Sequence, residues 1–438
     1  MFDGKRERVN DPVRKILQLT TEDHSVDMAR VAGQIVGVGL NGESGALAAV
    51  ARRMTEIGRM IRKKPVKVVV WGPGTVGRAC IRQLLETPGY ELVGVLAYDP
   101  SKNGQDVGAL VGAAHCGTRA TTDKSAIFGL DAEIVLHSAR PADFIDEDVV
   151  KLLEGGKNVI SATSYQYPFR HGRDYVEKLH NACRRGGSRL LGTGVHPGFM
   201  GEILALTLSA LCTQIDTLTI REFVNLSHQQ NAVGLRMFGF DGDPEEQANK
   251  DNPLHHMLER YWGDTLAFLA RIMFDEEARI ERHTSYVAAT EDITIPAMTI
   301  AKGRTAAIHH VLTASLSGKP RLTIDEYLYH TPKNRPYPHV DAADFYEVEI
   351  EGRPSSVRMQ MALKASLAQD LDFWPGDPTP QAWYATATPM LQAIPTVMRA
   401  DPGLMLPEVP RHFIQDARKS LTMTELVRQE LNRLGIQP

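Results

Sequence analysis

The stretch 67-KVVVWGPGTVGRACIRQLLETPGYELVGVLAYD-99 decides the fold. It opens with an apolar, β-branched run ending at Trp71, which is typical of a buried parallel strand. A turn with the spacing G-x-G-x-x-G follows at residues 72–77. It leads into a helical pattern that is broken at residues 87–89, and a second strand covers residues 91–98. This order of elements is a βαβ unit, the context in which such a glycine turn binds a dinucleotide.

Each glycine of the turn has its own predicted task. Gly72 allows the tight turn, Gly74 lets the backbone approach a pyrophosphate, and Gly77 lets the helix and strand pack closely. The first helical residues, Thr75 and Val76, present unpaired N–H groups and the positive end of the helix dipole to the phosphates. The alternative is a glycine-rich turn that binds nothing, but the complete βαβ unit favours the cofactor site.

Composition narrows the class of protein. A chain of 438 residues predicts two or three domains, and 43% hydrophobic with 23% charged residues is typical of a globular protein with a large core. A net charge of −4 gives no electrostatic reason to expect nucleic acid or an anionic membrane as partner. We find no apolar run of the roughly 18 residues that a membrane span needs and no secretion signal at the N-terminus. Four scattered cysteines without ligand spacing predict reduced thiols in a cytoplasmic protein, with no metal site.

Strands and helices continue to alternate as far as residue 198. Apolar strands are predicted at residues 132–138, 158–161 and 189–192, with helices at 144–154 and 175–185. This alternation predicts a Rossmann-type, doubly wound parallel sheet, in which ligands bind outside the carboxyl ends of the strands. The loops that should converge there follow Trp71, Tyr98, Ser138, Ser161 and Gly192.

Beyond residue 198 the pattern changes to period-2 strands. They are predicted at residues 217–225, 278–288, 304–315, 321–330, 345–350 and 357–365, after and around helices at 202–211 and 255–274. A hairpin loop at 351–356 and the period-2 pattern predict a mostly antiparallel sheet in an inserted α+β domain. A helix at 381–400 is expected to return to the first domain.

We therefore divide the chain into five parts: a helical extension (1–64), a dinucleotide-binding domain (65–198), an α+β substrate and dimerisation domain (199–375), the returning helix (376–410) and a helical tail (411–438). In the extension, helices at 25–38 and 46–62 are expected to pack on this chain or on a partner subunit. A basic helix lying on a membrane surface is the alternative for the second one.

Five pieces of the sequence resemble one enzyme family: VVVWGPGTVGR, YDPSKNGQDVG, GKNVISATSYQYP, GTGVHPGF and AIPTVMRADPG. From about residue 67 to 407, the chain resembles the dihydrodipicolinate-reductase-like oxidoreductases. The resemblance is to the branch with 2,4-diaminopentanoate dehydrogenase and the NAD(P)-dependent amine dehydrogenases. It implies a Rossmann domain, a second domain whose sheet forms a homodimer, and hydride transfer between nicotinamide and an amine or imine carbon.

The sequence departs from that family at one loop. Diaminopentanoate dehydrogenases carry a pair of Glu residues there, whereas this chain has Ser164, Tyr165 and Gln166. The paired His and catalytic Lys of the reductases are also absent. Two alternatives to amine chemistry therefore stay open: a carbonyl or alcohol oxidoreductase of the same fold, and an NAD(P)-binding sensor without turnover.

Reduction of C=N or C=O by hydride requires a proton donor near the heteroatom. Tyr165 and Tyr167, on a loop at the carboxyl edge of the sheet, are candidates, with aromatic packing as the alternative. His196 lies in the hinge at residues 194–198 beside the expected nicotinamide site. It is either an acid or a structural histidine.

Three further candidates lie in the second domain, at or just after the end of its first strand. These are Glu222, Asn225 and His228, predicted to contact substrate. Glu222 and Asn225 have opposite parity, so a regular strand points them to opposite faces and one alone reaches the site. A surface salt bridge is the alternative for Glu222.

The choice of cofactor depends on the end of the second strand. Asp99 lies in the range where an acid binds the ribose 2′-hydroxyl of NAD. The resemblance aligns the strand-end acid near Ala97 instead, and Lys102 with Ser101 can hold a 2′-phosphate. NADP is therefore favoured over NAD. Ser138 and Ala139 complete the predicted cofactor-binding residues.

Overall fold

The structure, a computed structural model, describes residues 64–139, 146–163, 165–331, 345–366 and 379–437. The helices predicted at 25–38 and 46–62 lie outside these residues. From Val66 onward, the described residues form one compact unit. None of their helices is both long and apolar enough to cross a membrane.

Fifteen strands are present in the described residues. They are β1 Val66–Trp71, β2 Tyr90–Leu96, β3 Ala120–Thr121, β4 Ile134–His137, β5 Asn158–Ser161, β6 Arg189–Gly192, β7 Gln214–Asn225, β8 Arg279–Ala288, β9 Ile293–Ile295, β10 Met298–Ile300, β11 Thr305–Leu316, β12 Lys319–Tyr329, β13 Phe345–Arg353, β14 Val357–Ala362 and β15 Gly403–Leu404.

Eleven α-helices connect the strands in the same part of the chain. They are α1 Thr75–Glu86, α2 Val107–Leu110, α3 Lys124–Gly129, α4 Glu147–Glu154, α5 Arg173–Gly186, α6 Leu206–Ser209, α7 Ala232–Phe238, α8 Pro244–Asn249, α9 Pro253–Phe274, α10 Gln381–Arg399 and α11 Met423–Arg433. Short 3₁₀ turns lie at Pro100–Lys102, Pro168–His171 and Ala417–Lys419, and a π-type segment at Val195–Ala205.

The first sheet is parallel and has the order β15-β6-β5-β4-β1-β2-β3. Its central strand is buried on both faces: Val68 and Val70 belong to one apolar cluster, Val69 and Trp71 to another. Burial on both sides explains why β1 is a continuous apolar run rather than an alternating one. The predicted doubly wound sheet is confirmed.

Helix α10 packs against α1 on one face of this sheet. Cys80 Sγ lies 3.9 Å from Met390 Sδ, and Thr388 Oγ1 donates to Gln83 Oε1 at 2.7 Å. The helix contains Pro389 and Pro395 and ends at Arg399. A segment about 300 residues downstream thus covers the first βαβ unit.

The second sheet has the order β14-β13-β7-β12-β11-β8. All its pairs are antiparallel except β7 and β12, which are parallel. This confirms a mixed, mostly antiparallel sheet. β13 continues to Arg353 because residues 351–353 still pair with β7, so the hairpin turn is shorter than predicted.

Several elements differ from the sequence-based prediction. The hairpin β9–β10 and helices α7 and α8 lie in a stretch for which no element was predicted. Strand β3 lies in another stretch for which no strand was predicted. The helix predicted at 202–211 is replaced by the π-type segment and the single turn α6. The π-type segment is kinked near its start, at His196, Pro197 and Gly198, where φ and ψ are non-helical.

Helix α9 lies against one face of the second sheet and contacts the π-type segment. Asn252 caps it by accepting from the Leu254 N–H, and Pro253 occupies the first turn, where its missing N–H costs nothing. Leu218 and Ile220 of β7 join Leu266 and Phe268 of α9 in the main core. This layer brings the inner face of the second sheet close to the end of β6.

Candidate active site

The glycine turn has the close approaches that its spacing predicts. Gly72 has φ of +94°, and a Cβ at Gly77 would lie 2.1 Å from the Gly72 carbonyl oxygen. A Cβ at Gly74 would meet no atom of the described residues within 4 Å, so these residues leave space open above the turn. The N-terminus of α1, with Thr75 and Val76, faces this space. The turn therefore fits a dinucleotide pyrophosphate.

The neighbouring loops are fastened to the turn. Ser138 Oγ donates to the Gly72 carbonyl at 2.7 Å, and Ala139 is packed against Gly72. Thr163 Oγ1 in turn donates to the Ala139 carbonyl at 3.1 Å. The ends of β1, β4 and β5 thus form one connected edge, as expected for the carboxyl side of a parallel sheet.

Asp99 and Lys102 have different surroundings after β2. Asp99 Oδ1 accepts from the Ser101 N–H at 2.9 Å and from Ser101 Oγ at 2.7 Å, and these bonds lower the pKa of the carboxyl. Lys102 Nζ donates to the Pro73 carbonyl at 3.0 Å, which places its charge beside the glycine turn. One oxygen of Asp99 therefore accepts hydrogen bonds within its own turn, whereas the Lys102 side chain reaches the glycine turn.

His196 and Glu222 form a buried hydrogen-bond contact between the two sheets. His196 Nδ1 lies 2.6 Å from Glu222 Oε2, and Tyr346 Oη donates to Glu222 Oε1 at 3.1 Å. The His196 side chain is fully buried, and its Nε2 has no hydrogen-bond partner among the described residues. Glu222 itself is 8% exposed. The structure therefore joins two of the sequence candidates and excludes a surface salt bridge for Glu222.

A second buried carboxyl holds the hinge that carries His196. Glu202 Oε2 accepts from the Gly198 N–H at 2.9 Å, and Thr265 Oγ1 of α9 donates to Glu202 Oε1 at 2.6 Å. Burial is the main cause of the raised pKa of Glu202. Trp262, one turn earlier on α9, lies 6.3 Å from His196 between ring centroids. Residues of the hinge, of the second sheet and of α9 thus hold the His196 ring in place.

Tyr165 and Tyr167 are both buried among aromatic side chains. Tyr165, with φ of +76°, stacks on Tyr175, and Tyr167 packs against Phe169 and Phe268. Burial raises the pKa of both phenols, with Glu430 adding to the rise for Tyr167. These surroundings favour the packing alternative for Tyr167, whose neighbours belong to α9 and α11.

Asn225 and His228 lie away from the pair of His196 and Glu222. Asn225 has the opposite parity to Glu222 on β7, and its Oδ1 accepts from the Ser227 N–H at 3.0 Å. His228 is exposed in the turn that follows. The structure brings Glu222 alone of these three to His196.

Sequence reasoning missed Tyr346 and Trp262. It also missed a second buried acid, Glu326 on β12, which is the register partner of Glu222 on β7. A signal for the acids was present in the period-2 patterns. Glu222 has the parity of Leu218 and Ile220, and Glu326 has that of Leu322 and Ile324. A polar residue at core parity in a strand is a buried polar group, which calls for a partner.

Comparisons with known proteins agree with this geometry. The family described as "Dihydrodipicolinate reductase, N-terminus" matches residues 66–166. An amine dehydrogenase from Streptomyces virginiae is 28% identical over 356 residues, which are 77% of this chain and 94% of that protein. A 2,4-diaminopentanoate dehydrogenase from Acetoanaerobium sticklandii is 23% identical over 200 residues, 41% of this chain and 54% of that protein.

Among solved structures, the amine dehydrogenase from Mycobacterium smegmatis has the same fold. The TM-score is 0.60 at 19% sequence identity, covering 78% of this chain and 95% of that one. Fold, glycine turn and relatives together define an NAD(P)-dependent oxidoreductase of the dehydrogenase and reductase type. Within that class, the predicted resemblance is confirmed: the chain is similar to the dihydrodipicolinate-reductase-like oxidoreductases, and its relatives include an amine dehydrogenase and a 2,4-diaminopentanoate dehydrogenase.

Proposed function

We propose that this protein transfers hydride between NADP and the amine or imine carbon of a small organic substrate, with His196 as the acid–base group. The observation that carries the proposal is the buried contact between His196 and Glu222 at the carboxyl edge of the first sheet. Nδ1 is fixed by Glu222, whereas Nε2 is left without a protein partner. A histidine held in this way can give or take a proton at one defined atom.

The acidic side chain that we propose for amine chemistry is that of Glu222, on β7 of the second sheet. The resemblance gives the acidic side chains to the loop at residues 162–168, where this chain has none. Glu222 supplies a carboxylate from the second sheet instead, 2.6 Å from His196. We propose that this contact orients the imidazole so that Nε2 exchanges a proton with an amine nitrogen.

The cofactor would supply or accept the hydride when bound, and the chain's own residues would position it. The turn with Gly72, Gly74 and Gly77 fits the pyrophosphate, as its open space and close approaches indicate. We propose NADP as the physiological form because Lys102 places a positive charge next to Pro73, where it can contact a 2′-phosphate. Asp99 remains the candidate for a 2′-hydroxyl if NAD is used.

We also propose that the protein is a homodimer through the outer face of the second sheet. The support for this proposal is the resemblance, since the aromatic cluster on that face, with Phe223, Tyr327, Tyr329 and Phe345, is already buried within the chain. Charged groups lie beside it, including Arg221, which contacts Glu347 at 2.6 Å. Localisation in the cytoplasm stays a prediction from the sequence.

Two measurements on the full chain test this function. Nicotinamide fluorescence is followed while NADPH or NADH is added, and tighter binding of NADPH is expected. Ketones with ammonia and NADPH, and amines or alcohols with NADP⁺, are then screened for turnover. Amine-dependent turnover supports the proposal, and turnover of alcohols alone favours the carbonyl alternative. Binding without any turnover favours the sensor.

A further inference from the structure

Behind Glu222, a row of polar side chains crosses the inner face of the second sheet. Five residues on five neighbouring strands are direct register partners: Tyr346 on β13, Glu222 on β7, Glu326 on β12, His310 on β11 and Thr284 on β8. We call these five residues the transverse row. Since register partners on adjacent strands point to the same face, the row is continuous beneath α9.

The two acids of the row lie side by side. Adjacent strands are about 4.8 Å apart, so register partners bring their carboxyl groups close together. Glu222 accepts bonds from His196 and Tyr346, whereas Glu326 is 5% exposed and its Oε2 has no hydrogen-bond partner in the part of the chain that the structure describes. Two neighbouring carboxyls in a buried site cannot both ionise without a large electrostatic cost.

The neighbour of Glu326 on the far side of the row is a histidine. His310 Nε2 lies 3.9 Å from Glu326 Oε2, and its Nδ1 lies 3.0 Å from Thr284 Oγ1. Burial, followed by neighbouring positive groups, lowers the pKa of His310 well below its ordinary value, which disfavours a positive charge on this ring. Burial and the charge of Glu222 raise the pKa of Glu326 well above its ordinary value.

Other titratable groups face this part of the row from the packed elements. Helix α9 contributes His255, whose ring is 4.6 Å from that of His310, and β8 contributes Tyr286, whose hydroxyl lies 3.3 Å from His255 Nδ1. The remaining charged or titratable groups that influence His310, His255 or His196 are Arg282, His309, His256 and Glu202. The contact of Glu326 with these side chains is through His310.

We propose that Glu326 is a positioning residue for the reaction: it shares one proton with Glu222, so that the pair directs a single negative charge at His196. This inference rests on the proposed role of His196 as the acid–base group. With Glu326 protonated, the imidazole can both take and release a proton. When Glu326 loses its proton at higher pH, a second negative charge holds the imidazolium, and His196 no longer accepts a proton from the substrate.

The substitution Glu326→Gln tests the shared proton because an amide has nearly the same shape but cannot ionise. Histidine resonances of the full chain, labelled with ¹⁵N and assigned with His196→Asn, are followed by NMR over pH 5–9. In the wild type we expect the His196 resonances to report a second ionisation at higher pH, that of Glu326. In Glu326→Gln this second step should be absent, because an amide cannot ionise.

Glu349→Gln is the matched control. Glu349 belongs to the same sheet but has the opposite parity on β13 and contacts Arg358, so the second step in the His196 resonances should remain in Glu349→Gln. A second step that persists in Glu326→Gln contradicts the shared proton. So does the loss of that step in Glu349→Gln.

The free energy of unfolding gives a second readout that needs no assignment. A raised Glu pKa means that the folded state binds more protons than the unfolded state, so stability falls as pH rises above the ordinary Glu value. Relative to the wild type, Glu326→Gln should therefore gain stability between pH 5 and pH 8. A stability difference that does not change with pH overturns the inference.

These measurements separate the inference from the proposed function. Coupling between Glu326 and His196 is measured without substrate, whereas the role of His196 is measured by turnover of His196→Asn. If His196→Asn keeps full turnover while the titrations of Glu326 and His196 in the wild type are coupled, the acid–base assignment fails but the shared proton stands.

Discussion

The glycine turn and the pair of His196 and Glu222 are two sites at one edge of the first sheet, and they are built in different ways. The turn is six consecutive residues, and its contacts are set by the backbone of residues 72–77. The pair joins residues 26 positions apart, and Tyr346 joins it from 124 positions beyond Glu222. A contiguous motif can be recognised in a sequence, whereas the second site exists only after two sheets pack together.

The largest expected effect concerns the contiguous site. Gly77→Ala would place a Cβ 2.1 Å from the Gly72 carbonyl, so the turn must open. We expect affinity for NADPH to fall by about 100-fold or more, with a lower melting temperature. Fluorescence titration and thermal unfolding measure both.

Gly129→Ala is the control for Gly77→Ala. A Cβ at Gly129, near the end of α3, meets no atom within 4 Å, so binding should be unchanged. Unaltered NADPH affinity in Gly77→Ala would show that the turn does not hold the cofactor.

The second effect concerns the discontinuous site. His196→Asn removes the free Nε2 but leaves the glycine turn intact. Turnover of the substrate identified by screening should fall by about 10²- to 10⁴-fold, the usual contribution of a general acid or base. Affinity for NADPH should change little. Steady-state kinetics and the fluorescence titration distinguish the two.

His283→Asn provides the comparison for His196→Asn. His283 is exposed on the edge strand β8, so its replacement should leave turnover within about twofold, as is usual for surface substitutions. A small effect at His196 would leave the pair with Glu222 as a structural contact.

The two sites also show which parts of the molecule the sequence can predict. The parallel sheet follows from apolar runs such as β1, because burial on both faces leaves a local signature. The shape of the hinge cannot be predicted from its sequence in the same way, because Pro197 and Gly198 interrupt an apolar run that otherwise has helical spacing. The pair of His196 and Glu222 could be predicted only as separate candidates. Its joining depends on strand order, which local pattern does not encode.

Cofactor preference is a smaller and more local effect. Lys102→Ala removes the charge beside Pro73 together with the hydrogen bond from Lys102 Nζ to the Pro73 carbonyl, and leaves the residues of the glycine turn unchanged. We expect the Kd for NADPH to rise by about tenfold, equivalent to about 1.4 kcal/mol, while the Kd for NADH stays the same. Lys319→Ala, at the start of β12 in the second sheet, is the matched loss of charge. Equal losses for NADPH and NADH would contradict a 2′-phosphate contact.

The smallest effect is expected at Tyr167, for which the sequence and the structure predict different roles. As a loop residue at the sheet edge it is a candidate proton donor, yet its ring packs between Phe169 and Phe268, and Glu430 lies at its hydroxyl. Tyr167→Phe keeps the ring and removes one hydrogen bond. The free energy of unfolding should fall by about 1 kcal/mol, and turnover should stay within about twofold. Chemical denaturation and steady-state kinetics measure the two quantities. A loss of turnover of 100-fold at unchanged stability would move the donor from His196 to this loop, and the contiguous sequence would then contain the catalytic group as well as the cofactor site.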